Sequence, residues 1–372
     1  MKILFNDFAN DPLELREAQA RAAREVIDSG WYVLGPKVEA FEAAWASYCG
    51  VKGCVGVGNG MDALEIILRC RDIGPGDEVI TTGMTAFATV LAILKVGATP
   101  IFADVDPSTA LLDIESVKGI IGPRTRAIVL VHLYGQIRGM RAWKSLCDRS
   151  NIDLIEDCAQ AHGAQEEGIF AGAWGIAGAY SFYPTKNLGC VGDGGAIVSN
   201  DVDLMNRAKR IRNYGQSNRY EHTEFGINSR LDEIQAAILF ERLAWLDRFN
   251  QKRKQLAAMY RNFLDCSEGR FGLPLEAPKR PENHVYHLMV IKSERRDLLS
   301  HLFNQFGLQT IIHYPKPCYE QLVKDCRWDS SKRFRGTSEL ASNVISLPVQ
   351  PNINPTDLNA ILQCLCDEKV YY

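Results

Sequence analysis

Hydrophobic positions along the chain fall into helical and strand-like rhythms that alternate. Residues 11–29 set Leu13, Leu15, Ala18, Ala22 and Val26 among polar helix formers, and a second amphipathic run covers residues 38–48 after Gly30 and a Gly35-Pro36 break. Both runs predict helices. Residues 53–60 predict a short strand that ends in glycine and asparagine and passes straight into a helix over 61–68. Strands are then predicted at 78–82, 100–105, 127–132 and 152–157, separated by helices at 86–96, 114–120 and 140–149. Residues 178–182 and 195–199 add two more strands. A helix follows to Arg212, then an irregular polar stretch over 213–230, then one long helix over 231–260. The tail reads as strand 284–291, helix 295–306, strands 309–313 and 344–347, and helix 356–366. Near-continuous apolar strands between helices predict an α/β fold, with a mostly parallel sheet covered on both faces. Ligands of such sheets gather at the carboxyl ends of the strands.

Composition adds limits. A chain of 372 residues exceeds one ordinary core, so a large domain over 1–250 and a smaller C-terminal one over 251–372 are expected. Hydrophobic residues make up 46% and charged residues 23%, a globular balance. The net charge is -3 with both signs interspersed, which leaves no electrostatic footprint for nucleic acid. No segment has the apolar length to span a bilayer, and the N-terminal stretch Met1-Lys2-Ile3-Leu4-Phe5-Asn6-Asp7 meets a charge almost at once and has no signal-peptide core. The 11 cysteines are scattered, with only Cys364 and Cys366 close together. That pattern predicts reduced thiols in a cytoplasm and argues against zinc, so no metal site is expected.

Candidate chemistry centres on Ser181-Phe182-Tyr183-Pro184-Thr185-Lys186-Asn187. A lysine just past a buried strand can lose solvation, which lowers its pKa and makes the amine a nucleophile toward carbonyl carbon. A lysine after a strand is ordinarily a solvated charge, so its companions decide. Asp157 ends another predicted strand. The turn Gly58-Asn59-Gly60-Met61-Asp62 opens a helix, where free N–H groups and the dipole favour phosphate. It is not a Walker loop, because no Gly-Lys-Ser/Thr follows. A lysine, an acid and a phosphate-binding helix end are what pyridoxal phosphate requires. In the 213–230 stretch, Arg219, Tyr214, Tyr220 and His222 look more like a binding loop than a core.

Several stretches resemble, in order along the chain, the DegT/DnrJ/EryC1/StrS sugar aminotransferases, a branch of the aspartate aminotransferase-like, fold type I pyridoxal phosphate enzymes. They are Gly58-Asn59-Gly60-Met61-Asp62-Ala63-Leu64, Gly74-Pro75-Gly76-Asp77-Glu78-Val79-Ile80, His132-Leu133-Tyr134-Gly135-Gln136 and Glu156-Asp157-Cys158-Ala159-Gln160-Ala161-His162-Gly163, then the Lys186 stretch, Arg212-Asn213-Tyr214-Gly215, Asn228-Ser229-Arg230-Leu231-Asp232-Glu233-Ile234-Gln235-Ala236-Ala237 and Ile312-His313-Tyr314-Pro315. The resemblance implies that Lys186 carries the cofactor and moves protons, that Asp157 meets the pyridine nitrogen and that Gln160 lies near the ring hydroxyl. It also implies that Ser181, Gly60 and the backbone of Met61 and Asp62 hold the phosphate, that Phe87 stacks on the ring, and that Asn228 reaches the phosphate of a neighbouring subunit. Arg212, Tyr214, Tyr220, Arg230, His313 and Tyr314 are the substrate-side candidates.

Two departures stand out. Met61 occupies a position where the family often has a hydroxyl residue, and Cys318-Tyr319 follows Pro315-Lys316-Pro317 where a histidine is common. The implied activity is transfer of an amino group from L-glutamate, through the pyridoxamine form of the cofactor, to C-3 of a dTDP-linked 3-keto-6-deoxyhexose by a cytoplasmic homodimer with shared sites. The alternatives are C-4 amination of a dTDP- or UDP-linked 4-keto sugar, and a regulatory or ligand-sensing protein on the same fold. A dehydratase of this fold would be expected to have histidine at the position of Lys186.

Overall fold

The computed structural model describes residues 2–275, 281–321 and 334–367. In chain order the elements are α1 (Leu13–Ser29), α2 (Pro36–Cys49), β1 (Gly53–Val57), α3 (Gly60–Cys70), β2 (Glu78–Thr82), α4 (Phe87–Lys95), β3 (Thr99–Ala103), α5 (Ile114–Lys118), β4 (Thr125–Val131), α6 (Met140–Ser150) and β5 (Asp153–Asp157). There follow β6 (Gln165–Glu166), β7 (Ile169–Phe170), β8 (Ala177–Ser181), β9 (Gly195–Ser199), α7 (Val202–Ile211), β10 (Gln216–Asn218), β11 (Glu221–His222), α8 (Glu233–Leu243), α9 (Leu246–Cys266), β12 (Leu273–Pro274), β13 (Met289–Lys292), α10 (Arg296–Gln305), α11 (Arg335–Asn343), β14 (Val344–Leu347) and α12 (Pro355–Asp367).

The central sheet is 7-stranded, in the order β1-β9-β8-β5-β4-β2-β3. Pairing is parallel from β8 through β5, β4 and β2 to β3, while β9 runs antiparallel to both β8 and β1. All strands but β9 therefore point one way, and their carboxyl ends share one edge. The expected mostly parallel α/β sheet is what forms. Two apolar clusters cover it. On one face Val55, Val57, Ile80's neighbour Val79, Ala127, Val129 and Ile155 pack on α3 residues Leu64, Ile66, Ile67 and Leu68. On the other, Ile128, Leu130 and Leu154 meet Trp45, Trp143 and Leu239. Alternate residues of one strand thus serve opposite cores, as period-2 geometry requires.

The C-terminal part carries a 3-stranded antiparallel sheet, β12-β13-β14. Its cluster joins Met289, Ile291 and Ile345 to Leu256, Tyr260 and Phe263 of α9, and takes in Ile3 from the other end of the chain. Ile3 also bridges Leu308. The expected boundary near residue 250 falls inside α9.

Three expectations need correction. The single helix over 231–260 is two helices, because α8 places Ala236 and Leu239 in the large-sheet core while α9 turns its apolar side to the C-terminal sheet. The strand expected at 284–291 is regular only from Met289, since the preceding residues bond to the 132–137 segment instead. No strand forms at 309–313. Ile311 makes a single bridge to Ser346, and the apolar run serves packing rather than a ladder.

Candidate active site

β5 ends on Asp157, paired on one side with Val131 of β4 and on the other with Ala179 of β8. The acid is buried at the middle of the sheet edge. It accepts from Thr89 Oγ1 at 2.8 Å and from the Ala159 N–H at 3.1 Å. The Thr89 and Thr85 hydroxyls lie 3.0 Å apart, so the first turn of α4 and the loop before it deliver a short hydroxyl relay to the carboxylate. Sequence reasoning missed both threonines. Their i, i+4 spacing, which puts two hydroxyls on one side of a turn, was the available signal.

Lys186 lies beyond β8 in a turn closed by its own N–H on the Tyr183 carbonyl at 2.8 Å. Burial pushes its amine down to about 8, while the nearby Asp157 charge pulls the other way. The next residue fixes the loop. Buried Asn187 donates to Asn250 Oδ1 at 2.8 Å and to the Val285 carbonyl at 2.9 Å, and its Oδ1 meets His287 Nδ1 at 3.2 Å. The lysine turn is thereby anchored to α9 and to the C-terminal part. His162 stands behind it, with Nε2 2.9 Å from the Ser181 carbonyl. Burial, with Lys186 second, brings its pKa to about 3, so the ring is neutral and its Nδ1 has no partner among the described residues.

Ser181 abuts the start of α3. A Cβ on Gly60 would stand 2.7 Å from Ser181 Cβ, and one on Gly195 would stand 2.4 Å from the Asn59 carbonyl carbon, so glycine is required at both. Asn59 caps the helix by accepting the Asp62 N–H at 2.9 Å. That N–H, expected to face a phosphate, is thus already bonded. The N–H groups of Gly60 and Met61 take no acceptor among the described residues. With the Ser181 hydroxyl they form a small anion cradle at the positive end of a helix.

Other predicted residues divide sharply. Phe87 opens α4 and packs with Val90, Phe102 and Cys318. Gln160 is pinned at both ends of its amide: Oε1 accepts the Tyr134 N–H at 2.7 Å and Nε2 donates to the Tyr314 hydroxyl at 3.2 Å. His313 sits 2.9 Å from Ser346 Oγ, and burial lowers its pKa to about 4. The Tyr134 hydroxyl donates to the His313 carbonyl at 2.6 Å. His313 feels the charge of Lys186 and Tyr314, with Gln160 bonded to it, feels that of Asp157, so these three stand beside the lysine and the acid.

The 212–230 candidates do not gather there within this chain. Arg212, expected to face substrate, is instead buried against Glu42 and donates to the Gly56 carbonyl at 2.7 Å. It neutralises a buried acid and ties α2 to β1. Arg230 lies 5.4 Å from the Tyr214 ring and donates to Asn213 Oδ1 at 3.1 Å. Tyr220 is 76% exposed with Arg219 over it at 5.2 Å, and His222 Nδ1 is 2.8 Å from the Tyr214 carbonyl. Asn228 is exposed, and its side chain has no hydrogen bond among the described residues. Its neighbour Ser229 faces inward, donating to Asp62 Oδ2 at 2.7 Å.

An α/β sheet that brings a buried acid, a desolvated lysine and an anion cradle to one edge belongs to the aspartate aminotransferase-like pyridoxal phosphate enzymes. Within that class, the chain belongs to the DegT/DnrJ/EryC1/StrS aminotransferase family, whose model matches residues 13–366. It is 44% identical to the dTDP-3-amino-3,4,6-trideoxy-alpha-D-glucose transaminase of Streptomyces venezuelae over 91% of this chain and 89% of the relative. It is 41% identical to the dTDP-3-amino-3,6-dideoxy-alpha-D-galactopyranose transaminase of Aneurinibacillus thermoaerophilus, over 95% and 98%. Among solved structures, S. venezuelae DesV in complex with a ketimine intermediate superposes with a TM-score of 0.93 at 41% identity, covering 99% of each chain. The protein is a pyridoxal phosphate-dependent aminotransferase. No helix among the described residues is long and apolar enough to cross a membrane.

Proposed function

We propose that this protein transfers an amino group from L-glutamate to the C-3 keto group of a dTDP-linked 3-keto-6-deoxyhexose. The observation that carries the reading is the pairing of Lys186, an amine pushed down to about 8, with buried Asp157 at adjoining strand ends. The residues present fit pyridoxal phosphate. When bound, it supplies an electron sink for reactions at an amine-bearing carbon. Lys186 would hold it through the amine and, once released, carry a proton between carbon centres. Asp157 would meet the pyridine nitrogen, held in place by Thr89. Ser181 with the N–H groups of Gly60 and Met61 would take the phosphate. Gln160 would serve the ring hydroxyl and Phe87 the ring face.

The sugar, the nucleotide and the position of amination rest on the similarity to two transaminases, 44% and 41% identical over most of this chain, both named for dTDP-3-amino sugars. Asn228, Arg230, Tyr214 and Tyr220 suit a homodimer in which each chain lends an arm to its neighbour's site. Cations fit a diphosphate, and aromatics fit a base or sugar face. Exposed Trp31, Tyr32, Val191 and Phe240 give such a dimer apolar surface to bury. The ten cysteines described are all free, which fits a reducing cytoplasm.

The test is to offer the protein, with glutamate, 3-keto and 4-keto dTDP-sugars separately and to locate the new amine by NMR. Amine at C-3 is expected; amine only at C-4 would replace the substrate assignment. Bleaching of the yellow protein by glutamate distinguishes an aminotransferase from a ligand sensor on the same fold.

A further inference from the structure

A cavity of about 200 Å³ opens where the loop after β3 meets the start of α6. Leu112, Leu130 and Trp143 give it an apolar wall, and they belong to the cluster on the Trp45 and Leu239 side of the large sheet. Leu130 is paired with Glu156 and so faces the same side of the sheet as that acid, away from Asp157. None of the residues assigned above to the cofactor or the sugar lines this cavity. Its size suits an occupant smaller than a nucleotide.

Several polar groups in the lining are left over by the fold. Arg138 is half-buried and makes no hydrogen bond or ion pair among the described residues. Trp143 is 5% exposed, and its indole N–H has no acceptor there. His132 is 2% exposed, and its Nε2 lies 2.8 Å from Glu156 Oε2. The Glu156 carboxylate already accepts N–H groups from Gly172, Trp174 and Gly175, so the imidazole hydrogen belongs on Nε2. The neutral ring then keeps a lone pair on Nδ1, which has no partner among the described residues. Two acids also line the cavity. Asp113 spends both oxygens on N–H groups at the start of α5, whereas Asp106 spends only Oδ1, on the Ser108 N–H and hydroxyl. Unused donors on Arg138 and Trp143 thus share one small space with unused acceptors on His132 and Asp106, beside leucine surface.

We propose that this cavity binds a small α-amino acid with an apolar side chain, in its zwitterionic form. The carboxylate would take Arg138 and the Trp143 N–H, the ammonium would donate to His132 Nδ1 and Asp106, and the side chain would lie on Leu112 and Leu130. A simple carboxylate would leave the His132 and Asp106 acceptors without a donor. A simple amine would leave Arg138 without an anion. Only an occupant with both charges matches the whole lining. The site is separate from that of the amino donor at Lys186 and stands independently of the aminotransferase reading.

The probe is L-leucine, titrated by calorimetry into the wild-type holoenzyme up to about 10 mM, beside 4-methylpentanoate and 3-methylbutylamine, which each keep one of its two charges. Leucine should bind with a dissociation constant of about 1 mM or below, and each analogue should bind at least about tenfold more weakly. Arg138→Met should weaken leucine by at least about tenfold and Trp143→Phe by about threefold, with glutamate-dependent turnover in both variants within about twofold of wild type. No heat from leucine, or equal affinity in Arg138→Met and wild type, overturns the site. Equal binding of either analogue overturns the zwitterion. Leucine binding that saturating glutamate abolishes would lie at Lys186 and overturns the assignment too. If Arg138→Met does not fold, the comparison of the three ligands on the wild-type protein decides.

Discussion

Strand β5 sets two acids side by side and treats them oppositely. Glu156 and Asp157 point to opposite faces of the sheet. Glu156 is fully buried and accepts N–H groups from Gly172 at 2.9 Å and from Trp174 and Gly175 at 2.8 Å, with His132 Nε2 also 2.8 Å away. Its oxygens are fully used inside the fold. Among the described residues, the Asp157 carboxylate receives only Thr89 Oγ1 and the Ala159 N–H. Two arginines repeat the contrast: Arg212 is spent on Glu42 and the Gly56 carbonyl, whereas Arg138 has no partner among the described residues. Burial alone therefore does not mark a site. Polar capacity left over after the fold has taken its share does.

The largest effect should come from Lys186→Ala. Losing the positioned amine removes proton transfer worth on the order of 10²–10⁴-fold, as well as the anchor of the cofactor. Turnover should fall below a few per cent of wild type, while the circular dichroism spectrum stays unchanged. Residual turnover above that level would falsify the role assigned to Lys186.

The paired acids should then separate stability from catalysis. Glu156→Gln puts an amide NH2 group against several N–H donors and should cost about 3 kcal/mol of stability, measured as a lower urea midpoint. Asp157→Asn keeps the shape and leaves the midpoint close to wild type. It should reduce turnover on the order of 10²–10³-fold, the scale of losing one preorganised electrostatic partner. A large midpoint loss for Asp157→Asn with near-normal turnover would reverse the two assignments.

The same contrast explains what the sequence disclosed. The large sheet was legible because its strands are short, apolar and punctuated by glycine and proline. Lys186, Asp157 and Ser181 were legible because strand ends put their chemistry in local motifs. Arg212 was misread. It stands in a loop-like stretch among aromatics, and its partner Glu42 lies 170 residues away along the chain. Arg138 was invisible for the opposite reason. One cation in the turn before a helix reads as a solvated charge until the fold sets it in a cavity wall. The helix break at Ala244 and Trp245 was equally hidden, since neither residue disfavours a helix and only the two separate cores require it.

Thr89 sharpens the comparison at a finer scale. Thr89→Val removes one of the two hydrogen bonds to Asp157 and keeps the volume. It should slow turnover roughly tenfold, equivalent to about 1.4 kcal/mol in the barrier. Equal turnover in the variant would mean that the relay from Thr85 is packing only.

The smallest predicted effect concerns the charge of Lys186 itself in the protein stripped of cofactor. Its folded pKa, about 8, lies below the ordinary 10.5 because burial outweighs the attraction of Asp157. Between those two values the unfolded chain holds the proton and the folded chain does not. Stability should therefore rise with pH across that window, and the penalty for burying the ammonium should be fully present below its lower end. Lys186→Met removes the titrating group and most of this slope. Relative to the variant, the wild-type apoprotein should gain about 1 kcal/mol between pH 7 and pH 9, read from urea midpoints at each pH. Other lysines and tyrosines titrate in both proteins and cancel in the difference. Parallel midpoints across the range would put the amine back near its ordinary pKa. They would leave Asp157 balancing burial in full, and Lys186 would then resemble the saturated Glu156 rather than the open Asp157.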